Sequence, residues 1–435
     1  MDKEMSKKRF RTIAAFCLIT FGWLSPAMGQ LTLDDCQRLA KENYPLIKRY
    51  DLIRATTHYT VSNLTKGYFP QLSFGGQASW QSDVMTLPDA LRDMMAATGY
   101  EVKGLKKDQY KVTVDVNQVI YDGGSIQAAK RVAQADGEVQ QKQNEVDLYA
   151  VRERVNNLYF GVMLMEDQLR LNEALQELLL DNRRKLETLQ QGGTVLQADV
   201  EVMRAEWLQA KQQQTELASA KESYRQMLAL FIGQVVELPL AKPSLDALSS
   251  YEVMRPELSL MDAQVRRYEE QMKQLNANIR PRLSLFAQGY YGYPGYNMFE
   301  DMFAHDWSWN GMVGIRFSWN LGSFYTHKND KRKLAVAINQ VENAREVFLF
   351  NNCLQSTEER QAIERYQKLL KEDEEIIRLR TFVRQSAETR LEHGVIDVND
   401  LLQEITREHQ AQIAYSTHEL EMLKQLYELK HTLNQ

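Results

Sequence analysis

Four segments of the chain alternate apolar and polar residues with a period of two. In the first, Leu72, Phe74 and Trp80 fall on one side, and polar residues such as Gln77 fall on the other. Such alternation over about ten residues predicts β-strands with one apolar and one polar face, and this is the length of a transmembrane β-strand. The alternation fits a soluble antiparallel sheet with one buried face equally well. The segments are 71–81, 110–121, 282–293 and 309–320.

Most of the remaining chain has a helical pattern. Only 9 of the 435 residues are Pro and 21 are Gly, so long uninterrupted helices are expected. Apolar residues between Val151 and Leu169 step by four and three, which is typical of a coiled coil. A helix over 125–190 would be about 100 Å long at 1.5 Å per residue, and 324–393 predicts a similar partner. Shorter helices are predicted near 46–69, 196–232, 257–279 and 397–433, with surface loops at 82–108 and 294–307.

The two halves of the chain share a series of landmarks in the same order. Two prolines 25 residues apart precede the first strand of each half, Gly residues follow the second strand, and a Gly stands six residues before an Asp further on. This order predicts a duplication, with repeats at 30–243 and 244–435. The landmarks are Pro45 and Pro256, Pro70 and Pro281, Tyr121-Asp122-Gly123-Gly124 and Asn320-Leu321-Gly322-Ser323, and Gly193 with Asp199 and Gly394 with Asp400.

The first 29 residues predict a secretory signal peptide. A basic start is followed by an apolar stretch from Ile13 to Leu24 and by Ala27-Met28-Gly29, so cleavage is expected before Gln30. About 12 apolar residues are too few for a membrane-spanning helix, and no later segment reaches 18. Cleavage would remove five basic and two acidic residues and change the formal net charge from −5 to −8. An acidic exported chain argues against nucleic-acid binding.

Four strands are too few for a transmembrane barrel. The smallest such barrels have eight strands, and open sheet edges are not tolerated in lipid. The strands must then come from several chains. Three chains would supply twelve strands, and their long helices would continue as a tube.

With these features the chain resembles the TolC-like outer membrane efflux proteins, also called outer membrane factors. The resemblance covers essentially the whole mature chain and rests on the repeated helix–strand–strand–helix order and on short motifs at strand ends and helix turns. It implies a mixed, mostly α-helical fold. Long antiparallel coiled-coil helices form a periplasmic α-barrel, and a homotrimer shares a 12-stranded transmembrane β-barrel.

The same resemblance implies a function and a location. The protein would be a channel-tunnel in the cell outer membrane, in contact with its lipid and extending into the periplasm. It would serve a tripartite efflux or type I secretion system. Its partners would be a periplasmic adaptor and an inner-membrane transporter.

The resemblance also assigns roles to residues at two helix turns. Gly193 and Gly394 would mark the helix-hairpin tips that dock the adaptor, and Asp199, Asp400 and Gln403 would line the periplasmic aperture. Helix capping is the alternative role for both aspartates. A relative closes this tip with a Tyr and an Arg, but the matching positions here are Leu391 and Ile396, so another closing contact is expected.

Enzymatic chemistry has little support in the sequence. The seven His include no His-Glu-x-x-His pair, and the Gly pairs lack the Gly-Lys-Ser/Thr of a phosphate-binding loop, so no catalytic residue, metal or cofactor is expected. Cys36 and Cys353 could pair or remain free thiols. The alternative function is a soluble periplasmic coiled-coil scaffold or adaptor. The uncharged apolar faces of the four strands favour the membrane channel.

Overall fold

The computed structural model describes residues 30–236, 239–244 and 252–434. The predicted signal peptide lies outside these residues, and so do residues 245–251, which follow the predicted repeat boundary. The fold is mostly helical with one four-stranded antiparallel sheet, as the sequence predicts. The helices are α1 (Leu33–Asn43), α2 (Arg49–Thr65), α3 (Asp89–Ala97), α4 (Ser125–Gln191), α5 (Gln197–Ile232), α6 (Pro256–Asn278), α7 (Met298–Asp301), α8 (Ser323–Glu392) and α9 (Val398–Leu433). The strands are β1 (Gln71–Trp80), β2 (Asp108–Tyr121), β3 (Arg282–Tyr293) and β4 (Ser308–Ser318).

The two longest helices, α4 and α8, have 67 and 70 residues. At 1.5 Å per residue each is about 100 Å long. The start of α4 is fixed by Asp122, whose carboxylate accepts hydrogen bonds from the backbone N–H groups of Gly124 (2.9 Å) and Ile126 (2.5 Å). Gly123 has a φ of +72°, and a Cβ there would lie 2.7 Å from that of Arg280. The Asp-Gly-Gly sequence therefore makes the turn from strand to helix.

Three helices are absent from the sequence prediction. Helix α1 is capped by Thr32, whose hydroxyl accepts a hydrogen bond from the N–H of Asp35 at 3.2 Å. Helices α3 and α7 lie inside the segments that we expected to be loops. These segments have an apolar core of their own, formed by Val102, Leu105, Tyr293 and Met302. They are packed structures rather than plain loops.

The sheet has the strand order β1-β2-β3-β4, and every neighbouring pair is antiparallel. The register keeps the apolar positions in phase: Leu72 pairs with Val116, Val116 with Ala287, and Ala287 with Val313. All four strands therefore contribute to one apolar face. A register shift between Val119 and Tyr121 breaks the alternation near the end of β2.

The described chain divides into two compact units. One contains residues 30–47, 148–254 and 352–434, apart from the residues not described, and the other contains residues 48–147 and 255–351. The first unit has two apolar clusters, one around Tyr159 and Phe160 and one around Met203 and Leu401. The second contains the sheet and the segments that connect its strands. Across the described ranges, no helix combines the length and apolar character needed to span a membrane.

Candidate functional site

The two helix hairpins of the first unit turn with the same backbone geometry. After α4, the N–H of Gly193 donates to the carbonyl of Gln190 (2.9 Å), and the N–H of Thr194 donates to that of Leu189 (3.0 Å). After α8, Gly394 and Val395 repeat this pattern with Leu391 and Arg390, both at 2.9 Å. This pair of backbone hydrogen bonds is the Schellman motif, in which the residue just after the helix adopts a positive φ. The two glycines have φ values of +77° and +68°.

Among the described residues, no atom outside the immediate backbone lies within 4 Å of a Cβ built at Gly193 or Gly394. The glycines are therefore required by backbone conformation and not by lack of space. Both turns are exposed.

The aspartates near the two turns are used differently. Asp199 is half-buried, and its carboxylate accepts a hydrogen bond at 2.9 Å from the N–H of Leu196, the residue before α5. In the second hairpin the corresponding cap is Asp397, whose carboxylate accepts from the N–H of Asp400 at 2.9 Å. In the described part of the chain the carboxylate of Asp400 makes no hydrogen bond, and it is exposed. Asp199 therefore acts as a helix cap, whereas the carboxylate of Asp400 is exposed to solvent.

Gln403 is also exposed and follows Asp400 by three residues on α9, so the two side chains share one helix face. The opposite side of the helix carries Leu401 and Ile405, which are almost fully buried. The buried face fixes the orientation of the exposed one. Asp400 and Gln403 are therefore presented together at the tip of the second hairpin.

An apolar cluster packs the two hairpins of this unit against each other. It includes Leu186 and Met203 from the first hairpin and Leu401 from the second. Leu391 is buried in this cluster, and Ile396 packs against it. The two residues that replace the polar lock of a relative thus contribute hydrophobic packing within the chain.

Polar contacts cross the same packing. Lys185 on α4 forms an ion pair with Glu392 on α8 at 3.3 Å, but both side chains are about half exposed, so the pair contributes little stability. Deeper in the hairpin, Arg384 on α8 binds Glu408 on α9 and lies 2.7 Å from Glu388. The exposed fractions of the Arg384 and Glu408 side chains are only 13% and 7%.

Neither Arg384 nor Glu408 is singled out by sequence, because charged residues on a helix usually face solvent. Burial opposes the charge of Arg384, yet hydrogen bonds to Glu388 and Glu408 and the charges of these carboxylates raise its pKa. Asp397 has a weak sequence signal, since an acidic residue before an apolar helical pattern is a common cap.

The apolar face of the sheet is exposed in the single chain. The exposed fractions of Phe74, Trp309 and Val313 are 77%, 83% and 72%. A soluble sheet would cover such a face, because large exposed apolar patches mark interfaces or membrane contacts. Within the four strands, Asp108 is the charged residue on this face, and it pairs with Trp80 at the strand end. The face is suited to lipid.

The other face of the sheet is polar. Asp115 accepts a hydrogen bond from Gln288 on β3 at 2.6 Å, and the guanidinium of Arg316 lies 4.8 Å from the ring centre of Phe286. Aromatic residues gather near one end of the strands, where Tyr291 contacts Trp309 at a ring-centroid distance of 4.9 Å. An apolar outer face, a polar inner face and an aromatic belt are the features of a transmembrane β-barrel wall.

Among the described residues, no group of three or more His, Cys, Asp or Glu side chains could hold a metal ion. Both Cys36 and Cys353 are free; the first is fully buried and the second is exposed.

Comparisons with known proteins agree with this geometry. The outer-membrane channel OprN has a TM-score of 0.66 and 16% identity, covering 92% of this chain and 89% of its own. The outer membrane protein VceC of Vibrio cholerae has a TM-score of 0.65 and 12% identity, and the match covers 92% of this chain and 95% of VceC. The CmeC outer membrane channel of Campylobacter jejuni has a TM-score of 0.64 and 13% identity, and the match covers 95% of this chain and 90% of CmeC. At these identities the likeness establishes the fold. None of the curated proteins matches the chain in sequence.

The sequence profile of the outer membrane efflux proteins matches residues 38–234. This match confirms the resemblance to the outer membrane efflux proteins that the sequence indicates. The family match and the fold together support an efflux channel of the outer membrane rather than an enzyme. The alternative of a soluble periplasmic scaffold disagrees with this location.

Proposed function

We propose that three copies of this outer membrane efflux protein form one channel-tunnel of a tripartite efflux or type I secretion system. The observation that carries the proposal is the sheet: its apolar face is exposed, and β1 and β4 each pair on one side only. An unpaired strand edge in lipid leaves backbone groups unsatisfied at several kcal/mol each. The sheet therefore needs strands from other copies of the chain.

Barrel size supports three copies. Two copies would give eight strands, and the interior of an eight-stranded barrel is filled by its own side chains. Twelve strands form the smallest multiple of four that leaves an open lumen. In such a barrel β1 of one copy would pair with β4 of the next, and the polar face would line the lumen.

We assign the aperture to the two hairpin tips. Asp400 and Gln403 would face the threefold axis, with Asp199 contributing from the first hairpin, and three unpaired carboxylates at a constriction would favour cations. The exposed turns at Gly193 and Gly394 would dock the periplasmic adaptor, which connects the channel to an inner-membrane transporter. The identical turns support the proposed division into repeats at 30–243 and 244–435.

Assembly can be tested by the mass of the purified protein in detergent. Three chains per particle are expected, because only a closed oligomer satisfies the edges of the sheet. A stable folded monomer or a dimer would refute the proposed barrel.

The aperture can be tested by ion selectivity in planar bilayers. Asp400→Asn should lower the preference of the open channel for cations and weaken any block by divalent cations. Asp397→Asn is the matched control, since Asn caps a helix as well as Asp does and the change removes the same charge three residues away. If both variants change selectivity equally, or neither does, Asp400 is not at the aperture.

A further inference from the structure

A pocket of about 290 Å³ lies against the polar face of the sheet, next to the β3–β4 connection. Gln77, Lys111 and Tyr290 line it from the three strands β1, β2 and β3, and Tyr296 and Met298 border it from the connection. Its volume is near the lower end of the range for small-molecule sites.

The connection that borders the pocket is held in place. The N–H of Tyr296 donates to the side-chain oxygen of Asn310 at 2.6 Å, and the hydroxyl of Tyr290 donates to the carbonyl of Pro294 at 3.1 Å. The rings of Tyr290 and Tyr296 meet edge to face, with centroids 5.2 Å apart. A Cβ on Gly295 would lie 2.4 Å from the hydroxyl of Ser308 and 3.0 Å from the side-chain amide of Asn310, so a larger residue would push these side chains aside. The pocket is therefore formed before a ligand arrives.

The pocket lining carries one positive charge and no negative charge. It contains Gln amides, hydroxyl groups, tyrosine rings and the ammonium group of Lys111, but no carboxylate. In the described ranges no carboxylate lies within ion-pair distance of Lys111. Asp115, the acidic residue further along the same face of β2, accepts a hydrogen bond from Gln288. The ammonium group is thus available to a ligand.

We propose that this pocket binds small aromatic organic anions that enter the lumen of the barrel. The ammonium of Lys111 would pair with the carboxylate, since charge-assisted hydrogen bonds are the stronger ones. Side-chain amides such as that of Gln77 would donate to its oxygens, and the tyrosine pair would contact the aromatic ring. The proposal rests on the proposed function, because it requires that the polar face lines the lumen.

Single-channel recording on the purified full-length protein tests the pocket. Benzoate is the probe, with benzyl alcohol and benzylamine as neutral and cationic compounds of the same shape. Benzoate should block open channels more strongly than either compound. Lys111→Gln should weaken the benzoate block at least tenfold, and Tyr296→Ala should weaken the block by benzoate and by benzyl alcohol.

Lys107→Gln is the matched control, since it removes the same charge from an exposed residue that does not line the pocket. It should leave the benzoate block unchanged. A conducting channel that benzoate does not block, or one blocked equally by benzylamine or equally after Lys111→Gln, would overturn the pocket and leave the channel function intact. Absence of conductance in the unmodified protein would instead overturn the proposed function, and this proposal with it.

Discussion

The buried contact between Arg384 and Glu408 makes the sharpest stability prediction. Both side chains are almost entirely buried, and Arg384 also binds Glu388. In Arg384→Met, Glu408 would retain the hydroxyl of Thr381 at 2.7 Å as its hydrogen-bond donor. A buried carboxylate that loses its cation costs about 3–5 kcal/mol, so the hairpin should open locally far more often.

Hydrogen exchange followed by mass spectrometry can measure this opening peptide by peptide. A factor of ten corresponds to about 1.4 kcal/mol, so amides of α8 and α9 around the pair should exchange roughly 10²–10⁴-fold faster. The double variant Arg384→Met, Glu408→Leu should recover part of the protection, because it removes the unpaired carboxylate of Glu408, while Glu388 still lacks its cation.

The same helix offers a matched control. Arg378 pairs with Glu375, but both side chains are exposed. Arg378→Met should leave exchange unchanged, since exposed pairs contribute little. Equal effects of Arg378→Met and Arg384→Met, or a double variant worse than Arg384→Met, would refute the reasoning from burial.

Three further predictions concern single residues. Burial raises the pKa of Glu359, so its native form holds a proton to higher pH than the unfolded chain, and stability falls as pH rises through that value. Glu359→Gln should therefore raise the unfolding temperature near pH 8 but not near pH 4, while Glu358→Gln, at an exposed position whose charge adds only a minor part of the pKa shift, should raise it much less. Gly394→Ala should cost about 1–2 kcal/mol because its φ is +68°, and Gly394→Asn should cost less in the same thermal unfolding assay. A maleimide should label exposed Cys353 rapidly but not Cys36, since burial raises the pKa of that thiol to about 12; labelling of both in the folded protein would contradict the structure.

The sequence predicts the long elements well because their signals are local. Period-two alternation places the strands within two residues of their observed ends, and the scarcity of Pro accounts for the lengths of α4 and α8. The division into two repeats stays a prediction. The predicted first and last residues of the shorter helices also lie close to the observed ones, since Gly and Pro residues mark these helix ends in the sequence.

Features that depend on tertiary contact were not predictable in this way. Helix α1 is short and precedes Pro45, and its burial of Cys36 depends on packing against α4 and α5. Arg384 has the same sequence character as Arg378, and only the packing of α9 distinguishes them. The pocket beside Tyr296 likewise depends on a connection that folds back onto the sheet.

Asp199 and Asp400 occupy equivalent positions after the two hairpin turns, but they have different structural roles. Leu196 precedes α5 and has no side-chain acceptor, and the carboxylate of Asp199 reaches back to accept a hydrogen bond from the backbone N–H of Leu196. Asp397 holds the equivalent position before α9 and supplies the cap itself, which leaves the carboxylate of Asp400 without a structural role in the chain. An exposed first-turn carboxylate with no capping role contributes only about 0.3–1 kcal/mol through the helix dipole, so changing Asp400 should cost little stability. This contrast, more than the motif match, is the physical reason to place ion selectivity on Asp400 rather than on Asp199.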